Sequence, residues 1–146
     1  MTQADPKLAL FEIYLATAEK VSDRRATANS WMLSVNSAIV ALYGYLQADK
    51  LAVNAGQKAV WLWAIPGAGI IVCVAWSALL ESYRGLNGAK FKVLQQLEAD
   101  LPDRPFTREQ EAYRLAGRRG LATVEKFVPV CFILLYAAIL GAALFR

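Results

Sequence analysis

Three stretches of this chain contain no Asp, Glu, Lys or Arg: residues 26–48, 59–80 and 127–145, which are 23, 22 and 19 residues long. At 1.5 Å rise per residue, about 20 apolar residues form a helix that crosses the roughly 30 Å hydrocarbon core of a bilayer. A helix of that length on a water-soluble core carries charge along its outer face, and these carry none. The pattern predicts an all-α integral membrane protein with three transmembrane helices. Every functional reading has to fit inside that limit.

What remains of the 146 residues is too small for a separate soluble enzyme domain with its own core. His is absent, which removes the commonest metal ligand and the usual general base at neutral pH. Cys73 and Cys131 both fall inside apolar runs without CxxC spacing, so they signal neither a disulfide framework nor a zinc site. They read as small apolar packing residues. There is no nucleophile motif, no phosphate-binding Gly loop and no intramembrane carboxylate pair. No enzymatic activity, cofactor or metal is expected. A net charge of +4 could suggest nucleic acid, but membrane topology accounts for the bases, and no nucleic-acid partner is expected.

The bases are unevenly placed. Residues 1–25 carry four Lys or Arg and residues 81–126 carry nine, against Lys50, Lys58 and Arg146 elsewhere. The positive-inside rule therefore puts both of the first two segments in the cytoplasm. The expected layout is a cytoplasmic segment at 1–25, a first span at 26–48 and a periplasmic loop at 49–58. A second span follows at 59–80, then a cytoplasmic helical segment at 81–126, then a third span with the periplasmic C-terminus at 127–146. The location this implies is the bacterial inner membrane. A cleaved leader is not expected, because the residues before the first run mix four acids with four bases. Trp61, Trp63, Tyr43 and Tyr45 fall near the outer interface, and Trp31, Trp76 and Tyr83 near the inner one, as in aromatic belts.

Asp5-Pro6 is a helix start, and helical spacing of Leu8, Phe11, Leu15, Ala18 and Ser22 carries one helix from about Pro6 to Leu46. The second run also continues out of the bilayer, through Leu86, Val93, Leu94, Leu97 and Leu101, with Gly85 and Gly88 offering a kink. A turn follows at residues 101–106. Thr107 and Gln110 have capping-box spacing for a short helix through Leu115, and Thr123 can cap the last span. These amphipathic pieces suggest a small cytoplasmic bundle; the alternative is a helix lying on anionic lipid through Arg114, Arg118 and Arg119.

Two polar lines run along the first span. Arg25, Asn29, Met32, Asn36 and Tyr43 fall within about 40° of one line at 100° per residue. An amide in hydrocarbon must find a partner, so Asn29 and Asn36 face protein or water. They either bond to another helix or line the axis of an oligomer. The second line is Ser30, Ser34, Ser37, Ala41 and Gly44, a small-xxx-small surface for close helix approach. Arg24, Glu81, Arg84, Glu125 and Lys126 gather at the inner boundary, where ion pairs would anchor depth.

Three segments resemble a known family. They are Ser22-Asp23-Arg24-Arg25-Ala26-Thr27-Ala28-Asn29 leading into the first span, residues 82–92 with Leu101-Pro102 and Pro105-Phe106-Thr107, and residues 123–129 entering the last span. Together they are similar to the RipA-like family of small octameric bacterial inner-membrane proteins. The resemblance implies a homo-octamer without assigned enzymatic activity. The expected function is a non-enzymatic scaffold or pore-like assembly, whose partners are its own copies and membrane lipid. The alternative is an accessory subunit that recruits an unidentified cytoplasmic protein through residues 86–115.

Overall fold

The computed structural model describes residues 6–99, 103–116 and 124–145. They form four helices: α1 (Pro6–Gln47), α2 (Ala55–Glu98), α3 (Pro105–Leu115) and α4 (Phe127–Leu144). At 42 and 44 residues, α1 and α2 are each about 65 Å long, roughly twice the hydrocarbon thickness. Both extend well beyond any membrane they cross. The continuous first helix expected from Pro6 is found. So is the continuation of the second, which runs through Pro66, Gly85 and Gly88 as one helix.

Among the described residues, two helices are long and apolar enough to span a bilayer, α2 and α4, rather than the three expected. α1 falls short because its charge-free stretch carries Asn29, Ser30, Ser34, Asn36 and Ser37, which lower its mean hydropathy without adding charge.

The turn between α1 and α2 is tighter than the 49–58 loop expected. α1 ends at Gln47, Asp49 takes a left-handed φ of 54°, and α2 is already capped at Asn54. The Asn54 side chain accepts from the Gln57 N–H at 2.9 Å while the Gln57 side chain accepts from the Asn54 N–H, a reciprocal cap. Lys58 pairs with Asp49 across the turn.

α1 and α2 lie antiparallel along their whole length, as the falling partner numbers show: Thr17 meets Lys90, Asn29 meets Trp76 and Asn36 meets Cys73. α2 is the central element and touches each of the other three. Its buried residues Gly69, Cys73, Trp76 and Leu80, and further along Leu94 and Glu98, fall at three- and four-residue spacing within each group, the period of a single helix face.

At the end remote from the α1–α2 turn, α3 folds back over the hairpin. Phe106 stacks between Phe11 of α1 (6.0 Å) and Phe91 of α2 (6.1 Å). The Lys90 ammonium donates to Thr17 Oγ1 at 2.9 Å and lies 5.4 Å from the Tyr14 ring centroid, a cation–π contact. α1, α2 and α3 thus form a small helical bundle at this end. Arg118, Arg119, Thr123 and the side chain of Arg114, named above for lipid binding and capping, lie outside the described residues.

The capping of α3 differs from the expected Thr107–Gln110 box. α3 starts at Pro105, and its free amides are met by Glu98 at the end of α2. The carboxylate accepts from the N–H of Phe106 (2.9 Å), from the N–H of Thr107 (2.8 Å) and from the Thr107 hydroxyl. A helix N-terminus favours negative charge, so a buried carboxylate satisfies it better than a hydroxyl could. Gln110 instead bonds to Gln95 of α2. Burial alone would push the Glu98 carboxyl up, but the Thr107 hydroxyl, the two amides and the nearby Arg104 charge outweigh it and hold the carboxyl below its ordinary value. A lowered carboxyl contributes stability that is present above its ordinary pKa and is lost as pH falls through the lowered one. Docking of α3 is thus expected to weaken on acidification below the normal carboxylate range. Glu98→Ala is expected to remove about 0.5–2 kcal/mol at neutral pH, read as faster amide hydrogen exchange in α3 while the membrane-depth amides of α2 stay protected.

Candidate functional site

Asn36 sits where three helices meet. It is 0% exposed, as is Cys73, and Tyr136 of α4 is 1% exposed. The Asn36 amide donates to Met32 O at 2.8 Å, one turn back along α1. Its Oδ1 accepts from the Cys73 thiol of α2 and from the Tyr136 hydroxyl of α4, both at 3.1 Å, and the same hydroxyl lies 3.2 Å from Asn36 O. One amide is therefore bonded to all three helices, as a polar group in a low-dielectric interior requires. Asn29 repeats the arrangement two turns away, its Oδ1 accepting from the Trp76 indole N–H at 2.9 Å.

Space for Tyr136 comes from a glycine. A Cβ placed on Gly69 would lie 2.5 Å from the ring atoms of Tyr136, so the ring occupies the position a side chain would take. Phe132 lies against Tyr136 at 6.3 Å and against Trp76 at 6.5 Å, which extends the contact between α4 and α2.

The expected line of Arg25, Asn29 and Asn36 thus points into the protomer. Enclosed completely, Asn36 lines no surface that an ion or a second copy could reach. Arg25 pairs with Glu125 at 3.5 Å, tying α1 to the residues that lead into α4. Lys126 pairs with Glu81 at 3.2 Å and ties those residues to α2. Of the five boundary charges, Glu81, Glu125 and Lys126 are brought into pairs, while Arg24 and Arg84 are exposed without an ion pair among the described residues. Trp76 is buried against Asn29, not placed in an aromatic belt. Trp31 is 68% exposed, and Trp61 and Trp63 are also exposed.

The small line has the opposite fate. Ser30, Ser34, Ser37, Ala41 and Gly44 are all exposed on the protomer, on the side of α1 turned away from α2. Two of the hydroxyls are satisfied locally: Ser34 donates to Ser30 O at 3.0 Å and Ser37 to Leu33 O at 2.9 Å. Such back-bonding leaves no free donor at Ser34 or Ser37, so these two positions can meet an apolar neighbour without an unpaired hydroxyl. A shallow groove at Thr27, Ser30, Trp31 and Ser34 marks its inner end. Among the described residues, no group of His, Cys, Asp or Glu could hold a metal ion.

Comparison with known proteins bears on this arrangement directly. The sequence model of the octameric membrane protein family (8xMP) matches residues 8–145. The chain belongs to the octameric membrane protein family. No curated protein and no solved structure matches it. Membership in the octameric membrane protein family agrees with the octameric membrane family that the sequence resembles, and it supports a membrane setting for the apolar α2 and α4.

Cys73, Trp76 and Tyr136 are the partners that sequence reasoning missed. Each can donate one hydrogen bond and each sits in a charge-free run, so the signal was a donor without an acceptor in its own helix, matched by the acceptors Asn29 and Asn36. Tyr136→Phe is expected to leave the helices associated but to cost about 0.6–2 kcal/mol, the range of an interhelical bond in a membrane. Gly69→Leu is expected to cost more, because it forces the buried Tyr136 ring out. Thermal unfolding of the detergent-extracted protein, followed by far-UV circular dichroism, ranks the two.

Proposed function

We propose that the protein is a non-enzymatic membrane assembly, a homo-octameric scaffold or pore-like body built by side-by-side association of α1. The observation that carries this reading is the exposed line of Ser30, Ser34, Ser37, Ala41 and Gly44 on a helix whose amides face inward. In membranes, helices associate through such small residues because they let backbones approach closely. Residues 26–48 serve as a third span, enclosed by α2 on one side and by other copies on the other. That enclosure accounts for the low apolarity of the stretch, since a helix shielded from lipid does not need to match lipid. By the same logic α4 faces lipid: its outward residues are almost all apolar, and within it only Pro129 and Tyr136 are buried. The distribution of Lys and Arg supports an N-terminus in the cytoplasm, a C-terminus on the periplasmic side, and the bacterial inner membrane as the location.

A second reading, recruitment of a cytoplasmic protein, is favoured by a cleft of about 590 Å³ between α1, α2 and α3, floored by Leu15, Phe91, Phe106 and Tyr113. Under that reading the cleft stays open in the assembly.

Native mass measurement of the detergent-extracted protein is expected to give eight copies, and a single copy would refute the proposal. In a Cys131→Ala background, a short bis-maleimide is expected to join Ser37→Cys copies to Val35→Cys copies, whereas Ile71→Cys copies, changed at an exposed position of α2, are expected to remain uncoupled. Conductance of the protein in liposomes decides between pore and scaffold.

A further inference from the structure

The cytoplasmic half of α1 separates its charges by face. Glu19 and Asp23 line the cleft described above, together with Glu109 of α3, and the cleft has no Lys or Arg among its described lining residues. That is unexpected on the side of the molecule that carries most of the bases. Lys20 and Arg24 lie on the other flank of the same helix, exposed and at the same height. Among the described residues, none of these five charges has an ion pair within the protomer.

Helical geometry connects these flanks to the membrane face. At 100° per residue, Glu19 lies on the same side of α1 as Ser30, Ser37 and Gly44, so the acidic rim continues the small line into the cytoplasm. Arg24 lies on the same side as Trp31, Val35 and Leu42, all of them large, apolar and exposed. The two sides are about 140° apart, five residues of helix. In a closed ring of eight, each helix meets its two neighbours in directions about 135° apart. The direction midway between them points away from α2, which leaves α1 on the inside of the ring and α2 and α4 outside.

Rotation about the membrane normal keeps every residue at its own depth. A ring built this way therefore sets the basic flank of one copy against the acidic flank of the next at equal height, and large side chains against small ones above them. Resting on the octameric reading above, we propose that the acidic cleft between α1 and α3 of one copy receives Lys20 and Arg24 of the neighbouring copy, so that the ring closes head to tail. The occupant of the cleft is a second copy of this chain. An anionic lipid surface is repelled by its three carboxylates, and a neighbour at the same depth carries the complementary charge. The lysine and arginine stems have apolar surface to lie on at Leu15 and Tyr113.

Two full-length variants test this. Glu19→Lys with Asp23→Lys reverses the cleft, and Lys20→Glu with Arg24→Glu reverses the opposite flank. Each variant alone presents like charges at every contact and is expected to lose the eight-copy peak in native mass measurement, with circular dichroism unchanged because all four positions are exposed. Co-expressed with different tags, the two variants are expected to co-purify as octamers holding four of each, since alternation restores opposite charges at every contact. If each variant alone keeps eight copies, head-to-tail docking is overturned while the octamer stands, and the cleft is left to a cytoplasmic partner. If the wild-type chain itself runs as a single copy, the octameric reading falls and the docking with it. A second measurement does not depend on assembly of the reversed variants. In a Cys131→Ala background, a short bis-maleimide reagent is expected to join an Asp23→Cys copy to an Arg24→Cys copy, and no such product would overturn the proposal.

Discussion

The saturated amide of Asn36 is the constraint on which the arrangement of helices depends. A primary amide cannot be left unbonded in hydrocarbon, and here its oxygen is held by one donor from α2 and one from α4. Those two bonds set the rotation of α1 about its own axis. Once Asn36 and Asn29 face inward, the residues on the opposite side of α1 must face outward. Burial of the amides and exposure of Ser30, Ser34 and Ser37 are thus one fact seen from two sides of a helix. Gly69 belongs to the same constraint, because without its missing side chain Tyr136 could not reach the amide.

Outside the membrane depth a different charge chemistry repeats the principle. Glu98 ends α2 and caps α3, and its carboxylate replaces the cap that the local sequence of α3 would have supplied. The Arg25–Glu125 and Lys126–Glu81 pairs bracket the entry to α4 from α1 and α2. Partly solvated pairs of this kind contribute little energy each. Their value is positional: they fix the height at which α4 starts, and so the height at which Tyr136 meets Asn36, two and a half turns further on.

Much of the fold is legible in the residue pattern, and the exceptions share a cause. The long α1 was readable because nothing between Pro6 and Gly44 interrupts it, and the extension of α2 because its apolar period survives past Leu80. Apolar content ranks α4 and α2 as candidate membrane helices, while the Asn and Ser residues of α1 keep it below the same measure. The two lines on α1 were visible as periodicities, yet periodicity says which residues share a face and not what covers it. Whether Asn36 met another helix of its own chain or a central axis turned on Tyr136, one hundred residues away. The Glu98 cap was hidden for the same reason, since Thr107 and Gln110 matched a local pattern that a non-local carboxylate then displaced.

Taken together, these contacts order the helices by what they can tolerate beside them. α4 is apolar almost all round and has one inward polar contact, so it suits lipid. α2 meets protein along one full face and supplies donors but no acceptor of its own at membrane depth. α1 has polar groups on both faces, the amides satisfied inside the protomer and Ser34 and Ser37 by its own backbone. A helix of that kind is stable where protein covers both sides, and within a single copy only one side is covered. The chain belongs to an octameric membrane protein family, and the proposed association along α1 is what would cover the other side. The amides that lock the protomer together are what turn the serines of α1 outward.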